Sequence, residues 1–120
     1  MIHGRKSDLA ISRWQRVRVS GPSMVPTLKD GDVLLVRGGA RTRPGDVVVG
    51  VFRSMPARYV VKRAGRPLGT GWELISDNPF GGGDSSSLGV ADVLGRAVLR
   101  WPRGALLPRR LAPAQPRSER

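Results

Sequence analysis

The chain has 120 residues and no cysteine, so it is about one domain long, and disulfide scaffolds, thiolate metal sites and cysteine nucleophiles are excluded. The lone His3, near a terminus, offers neither a metal cluster nor a Ser/His/Asp triad. The formal net charge of +12 fits phosphate binding, but the basic residues are scattered and few aromatic residues accompany them, so we expect no nucleic-acid partner. We therefore predict chemistry without a metal or a cofactor.

Short segments rich in valine, leucine and aromatic residues alternate with clusters of turn-forming residues along the chain. This alternation predicts a mainly β fold, built as a small barrel or a coiled sheet. There is no long amphipathic helix and no apolar run long enough to cross a bilayer, so we expect a cytoplasmic protein without a membrane span. The predicted strands are Trp14–Val19, Val33–Arg37, Val47–Arg53, Arg58–Arg63, Trp72–Ser76 and Val93–Trp101.

Proline and glycine mark the predicted turns and the end of the domain. The Pro44–Gly45 pair suits the centre of a type II turn, because proline fixes the first φ and glycine accepts a positive second φ. Beyond residue 102 several prolines lie among arginines and small residues, which predicts a mobile tail with no packed element. The chain thus divides into a polar basic segment 1–13, a folded domain 14–102 and the tail 103–120.

One serine lies between two prolines in the segment Ser20–Pro26. Each proline restricts its own backbone and that of the preceding residue, so Ser23 is expected in a fixed, non-helical and partly exposed position. A serine hydroxyl is a poor nucleophile until a neighbouring base takes its proton. Since the chain offers no suitable histidine, the base must be another residue.

Lys62 is the best candidate for that base. Strand alternation places Lys62 on the same face as Val60 and puts Arg63 on the opposite face. Burial disfavours a charged lysine and lowers its pKa from about 10.4 towards neutrality, provided that an apolar wall such as Met24 and Val60 surrounds it. An ordinary strand lysine that extends its amine to water is the alternative, so the residues alone leave a Ser23–Lys62 dyad open.

The residues around Ser23 resemble the Ser-x-Met-x-Pro-Thr-Leu motif of the signal peptidase I family. Any one motif is weak, since Ser-x-Met-x-Pro also occurs in LexA-type repressors, but five motifs in the same order are specific. The resemblance spans Val17 to Pro102 and implies the coiled β-sheet or barrel of a signal peptidase/LexA-like catalytic domain. The further matching segments are Gly31–Val36, Pro44–Val49, Tyr59–Arg63, Ser76–Asn78 with Asp84–Ser85, and Gly95–Pro102.

This resemblance implies that Ser23 attacks the scissile carbonyl and that Lys62 takes its proton and later delivers it to the leaving amine. The implied oxyanion donor is the backbone N–H of Ser23, and Gly21 stands where many members carry a further hydroxyl donor. The chain departs from the family at two positions near this site. Gly82 stands where some signal peptidases place a hydroxyl beside the lysine, and Ser86 stands where most of them have an arginine. Supporting roles at the ends of the Lys62 strand, or plain turn roles, are expected for Asp77, Asn78 and Asp84.

A short, arginine-rich chain without an anchor, carrying Ser-Gly-Pro-Ser-Met and Ser-Asp-Asn-Pro, resembles the nickel-type superoxide dismutase maturation proteases. This resemblance implies a protein partner, the dismutase precursor, from which an N-terminal leader is removed. With one histidine and no cysteine, the chain itself is not expected to hold nickel.

Three alternatives remain at this stage. A LexA-like self-cleaving regulator would need a DNA-binding helical domain, for which the residues before Arg16 are too few. A signal peptidase whose anchor is missing from this chain would act on exported preproteins. A binding module that has kept the fold without catalysis would leave the Ser23–Lys62 pair unused.

Overall fold

Valine-rich segments pair into one antiparallel sheet in the computed structural model, which describes residues 2–3, 13–80, 83 and 85–111. Valine is β-branched and suits a pleated, buried surface, which favours strands in these segments. One turn of helix, α1, covers Ser85–Leu88. The strands are β1 (Ile2–His3), β2 (Trp14–Val19), β3 (Val33–Gly38), β4 (Val47–Phe52), β5 (Val60–Leu68), β6 (Gly71–Ile75), β7 (Ala91–Trp101) and β8 (Arg109–Arg110).

The sheet has the order β1-β2-β3-β7-β4-β5-β6, and β6 also pairs with β7 through Trp72 and Ala91. The four strands β4 to β7 therefore close into a small ring, from which β3, β2 and β1 extend. The long β7 bends at two register shifts, opposite Leu35/Val36 and Val49/Gly50, and such bulges increase the local curvature of a strand. The prediction of a mainly β, coiled or barrel-like fold is confirmed.

The core lies on both faces of β4, whose six residues are all buried. Val49 and its alternate neighbours pack in one cluster with Leu34 and Val61, whereas Val48 and Phe52 pack in a second cluster with Leu74. A strand that is buried on both faces is a continuous apolar run, as Val47–Phe52 is in the sequence. β4 is thus a fully buried strand, and β5 is positioned by pairing with it.

Two turns show how local sequence sets the connections. At Pro44–Gly45 the Asp46 N–H donates to the Arg43 carbonyl at 3.0 Å and Gly45 has a φ of 94°, which confirms the predicted turn geometry. The segment 65–67 contains glycine and proline, which favour a turn, but it continues β5 across a register shift between Ala64 and Pro67. A bulge accommodates a proline that cannot donate to the ladder, so the hairpin turn falls later, at residues 69–70.

The chain pairs with the sheet again beyond residue 102, where the sequence predicted no packed element. Arg109–Arg110 forms β8 against Leu99 and Arg100 of β7, and the Leu111 N–H donates to the Val98 carbonyl at 2.9 Å. The pairing of β4 with β7 ends at Arg96, so this part of β7 has a free edge for β8. Among the described residues, no helix is long and apolar enough to cross a membrane.

Candidate functional site

Ser23 and Lys62 line the same cavity, which has a volume of about 330 Å³. The loop between β2 and β3 supplies Pro22 and Ser23, and β5 supplies Val60 and Lys62. Phe52 at the end of β4 adds an apolar wall. The fold therefore brings together two residues that are 39 positions apart in the sequence.

Lys62 is buried, with only 4% of its surface exposed. Its Cα pairs with that of Val48 in β4, and its strand neighbour Val60 belongs to the same apolar cluster as Val48 and Phe52. The Nζ atom donates a hydrogen bond to Ser76 Oγ at 2.7 Å. An amine in this setting is taken out of bulk water while its position is fixed by a hydroxyl group.

The loop that carries Ser23 is held by backbone hydrogen bonds at both sides. The Val25 N–H donates to the Pro22 carbonyl at 3.1 Å, and the Leu28 N–H donates to the Met24 carbonyl at 2.8 Å. Ser23 itself is partly buried, in agreement with the position expected from its flanking prolines. The hydroxyl group thus sits on a turn that is ordered by its own backbone.

Asn78 ties this loop to the end of β6. Its backbone N–H donates to the Ser23 carbonyl at 2.9 Å, and its side-chain Nδ2 donates to the Pro22 carbonyl at 3.0 Å. The Oδ1 atom accepts the Phe80 N–H at 3.0 Å, so both the nitrogen and the oxygen of the side-chain amide have a partner. Asn78 therefore positions the backbone on both sides of Ser23, the predicted nucleophile.

Asp77 ties the same loop to β5. Its carboxylate accepts two hydrogen bonds from Arg63, Nε to Oδ1 at 2.8 Å and Nη2 to Oδ2 at 2.7 Å, and one from Thr27 Oγ1 at 2.5 Å. Burial alone would raise the pKa of Asp77, but the hydrogen bonds from Arg63 and Thr27 and the Arg63 charge lower it below its ordinary value. The hydrogen bonds to Asp77 raise the pKa of Arg63 in turn.

Ser76, Asp77 and Asn78 thus form a three-residue clamp, which we call the Ser76–Asn78 clamp. Ser76 contacts Lys62, Asp77 links Arg63 of β5 to Thr27, and Asn78 holds the loop that carries Ser23. Consecutive residues after a strand point in different directions, so one short segment reaches three partners. The clamp fixes the relative position of the two halves of the predicted dyad.

The remaining predicted site residues fall in three places. Gly21 lines the cavity with a φ of 91°, and its N–H donates to Asp30 Oδ1 at 2.9 Å. Met24 instead packs in the core cluster of Leu34 and Val61, and it is not among the cavity-lining residues. Phe52, instead of Met24, forms the apolar wall of the cavity beside Lys62. Asp84, and with it Gly82, lies outside the described residues.

Ser76 is the site residue that the sequence reasoning did not single out. The signal that could have found it is strand register: Arg63 pairs with Ile75 in the β5–β6 hairpin, so Lys62 lies opposite residue 76. The sequence has Gly82 where some signal peptidases place a hydroxyl beside the lysine, but Ser76 supplies a hydroxyl to Lys62 from a different position. No cluster of three histidine, cysteine or acidic residues that could hold a metal occurs in the described part of the chain.

A protein-family model described as Peptidase S24-like matches residues 12–98 of the chain. The matched range includes Ser23, Lys62 and the whole Ser76–Asn78 clamp. A search of curated proteins found none that matches the chain.

Proposed function

The chain belongs to the Peptidase S24-like family, which indicates serine-type peptidase activity, and on this premise we propose that it is a Ser/Lys endopeptidase. Ser23 is the nucleophile and Lys62 is the general base. The observation that carries the proposal is that Ser23 and a buried lysine line one cavity of about 330 Å³. The resemblance to signal peptidase I supports the same assignment of the two roles.

The proposed reaction starts from an uncharged Lys62. Taking an ammonium group out of water is unfavourable, so the burial of Lys62 favours its neutral form. As Ser23 Oγ attacks the scissile carbonyl carbon, Lys62 Nζ takes the hydroxyl proton and the carbonyl π electrons move to the oxygen. The tetrahedral intermediate then breaks the C–N bond, and the leaving amine receives the proton from Lys62, which leaves an acyl group on Ser23.

The second half repeats the same proton transfers with water. Lys62 takes a proton from a water molecule that attacks the acyl carbon, and it returns the proton to Ser23 Oγ as the ester bond breaks. The backbone N–H of Ser23 is proposed to stabilise the negative oxygen in both steps. Asn78 supports this role because its hydrogen bonds to the Pro22 and Ser23 carbonyls orient the peptide groups on either side of Ser23.

Ser76 is proposed to be a positioning residue for the base. Its hydroxyl accepts one N–H of Lys62 at 2.7 Å, which restricts rotation of the amine and directs another face of Nζ into the cavity. Ser76 acts through Lys62 and does not contact the substrate in this scheme.

The proposed substrate is a precursor protein with an N-terminal leader, and the superoxide dismutase precursor of the nickel type is the specific candidate. The cavity supports a peptide substrate because apolar Phe52, Val60 and Leu88 line it next to Ser23, which suits a side chain before the cleaved bond. The choice of the dismutase precursor depends on the sequence resemblance alone.

The experiment is mass spectrometry of this precursor after incubation with the purified protein in the presence of a metal chelator. Ser23→Ala and Lys62→Met are compared with Lys29→Met, an exposed loop lysine that serves as the matched control. One cut at the leader junction, kept by Lys29→Met and lost in the other two variants, would support both enzyme and substrate. If only exported preproteins are cleaved, the dyad stands and the substrate is wrong. No cleavage of either substrate would contradict the peptidase proposal.

Self-cleavage is a second candidate function, because the family match is equally compatible with it. Intact-mass measurement of the purified protein over time separates the two functions. A new break within the chain that is absent from Ser23→Ala would favour self-cleavage, whereas an unchanged mass together with cleavage of an added precursor would exclude it.

A further inference from the structure

A second cavity, of about 520 Å³, lies at the far end of β3 and shares no lining residue with the Ser23 cavity. We call it the arginine cavity, because five of its eight lining residues are arginines and no described acidic residue is among them. Its other lining residues are Gly38, Gly39 and Ala40. The five arginines are Arg13, Arg37, Arg41, Arg43 and Arg96.

Strand pairing and the loop between β3 and β4 together bring these arginines to one cavity. Arg37 of β3 pairs with Arg96 of β7, so the two side chains extend from the same face of neighbouring strands. The Gly38 N–H donates to the Arg13 carbonyl at 2.8 Å, which places Arg13 beside the end of β3. The loop from β3 to β4 then adds Arg41 and Arg43.

Two observations show that this arrangement is more than a solvated basic surface. The Nε atom of Arg96 is buried and has no hydrogen-bond partner among the described residues, although a buried donor without a partner destabilises a protein. The Arg37 guanidinium lies over the Trp14 ring at 5.8 Å, which restricts its orientation. The cavity thus combines an unused buried donor with a partly ordered guanidinium group.

From these features we infer that the arginine cavity binds a ligand that carries at least two phosphate groups. Guanidinium groups donate paired hydrogen bonds that match phosphate oxygens, and four of the five arginines are exposed, so their guanidinium groups can reach an anion in the cavity. Five cations around one cavity exceed the charge of a single phosphate, so a diphosphate or a longer phosphate compensates them better. The volume is in the range of cavities that bind small molecules.

The test is isothermal titration of the full chain with inorganic pyrophosphate and, separately, with inorganic phosphate. The variant Arg41→Gln/Arg43→Gln removes two exposed arginines of the cavity. The matched control Arg109→Gln/Arg110→Gln removes two exposed arginines of β8 and gives the same net charge. We expect one pyrophosphate site, weakened about tenfold in the cavity variant and unchanged in the control, with weaker binding of phosphate.

Equal weakening in both variants would show attraction to overall charge and would overturn the inference, as would the absence of pyrophosphate binding. A duplex DNA that binds more tightly than pyrophosphate and is unaffected by the cavity variant would overturn it too. Vesicles of phosphatidylcholine with cardiolipin, whose headgroup holds two phosphates, distinguish a lipid headgroup from a free polyphosphate as the ligand. Binding to these vesicles that the cavity variant weakens would assign a lipid headgroup, and no vesicle binding would assign a free polyphosphate. Cleavage by Ser23 is not involved in any of these measurements.

Discussion

The two cavities differ in their basic side chains: the Ser23 cavity has a buried lysine beside the exposed Arg58, whereas arginines alone supply the cations of the arginine cavity. In the Ser23 cavity one lysine is 4% exposed, packed beside apolar residues and held by Ser76. In the arginine cavity five cations surround an open polar space, and four of them are exposed. The two proposals differ accordingly: burial suits Lys62 to the proposed proton transfer, whereas the exposed arginines suit the proposed binding of an anion.

The largest expected effect follows from removing either member of the dyad. Ser23→Ala or Lys62→Met should lower kcat/KM for precursor cleavage by about a thousandfold or more, because each removes a group that the proton transfers need. Lys29→Met and Arg41→Gln/Arg43→Gln should cleave at the normal rate. Rates from mass spectrometry, together with circular dichroism to verify folding, provide the measurement. A normal rate in Lys62→Met would contradict the proposal that the buried lysine acts as the base.

The clamp gives the next largest effect, this time on stability. Asp77→Asn removes the carboxylate that Arg63 and Thr27 share, and we expect the free energy of unfolding to fall by about 2 kcal/mol in urea titrations at neutral pH. Asp92→Asn is the matched control, because Asp92 makes a similar paired contact with Arg53 where both side chains are about half exposed. It should change stability less. Equal losses would mean that the clamp has no special structural role.

The same carboxylate predicts a pH dependence. The pKa of Asp77 is lower in the folded protein than in the unfolded chain, so its contribution is complete above the unfolded value of about 3.9 and is lost as the pH falls through the folded pKa. Unfolding of the normal protein should therefore become easier below about pH 4. The difference between the normal protein and Asp77→Asn should shrink over the same range. A difference that persists unchanged at acidic pH would contradict this linkage.

The variant Ser76→Ala leaves Lys62 buried but removes the hydroxyl group to which its amine donates. We expect kcat to fall about tenfold with little change in KM, because positioning of the base affects proton transfer more than substrate binding. Ser76→Thr keeps a hydroxyl and should recover most of the rate. If Ser76 had only a structural role, both variants would be less stable, and kcat would not fall independently of KM.

The smallest expected effect concerns the arginine cavity. Arg41→Gln/Arg43→Gln removes mutual repulsion, so the free energy of unfolding should rise slightly, by about 0.5 kcal/mol or less at low salt. The gain should vanish at high salt, which screens exposed charges. Urea titrations at the two salt concentrations measure it, and a loss of stability at low salt would show that these arginines have partners.

The sequence predicted the parts of the molecule that depend on local pattern. Segments rich in valine, leucine and aromatic residues located the strands β2 to β7, although β5 continues to Leu68 instead of ending at Arg63, and the prolines around Ser23 predicted its partly buried loop. What the sequence missed depends on register and direction. Ser76 meets Lys62 only through the β5–β6 pairing, and the direction of Met24 in a loop follows no periodicity. The arginine cavity was missed for the same reason, since strand pairing gathers cations that look scattered in the sequence.

The most direct test of the Ser23–Lys62 dyad is to look for the acyl-enzyme. The protein is mixed with a peptide activated ester, quenched at early times, digested and mapped by mass spectrometry. An acyl adduct on Ser23 that forms in the normal protein and in Lys29→Met, but not in Lys62→Met, is the predicted result. An adduct on another residue, or equal acylation of Ser23 in Lys62→Met, would contradict the assignment of Lys62 as the base.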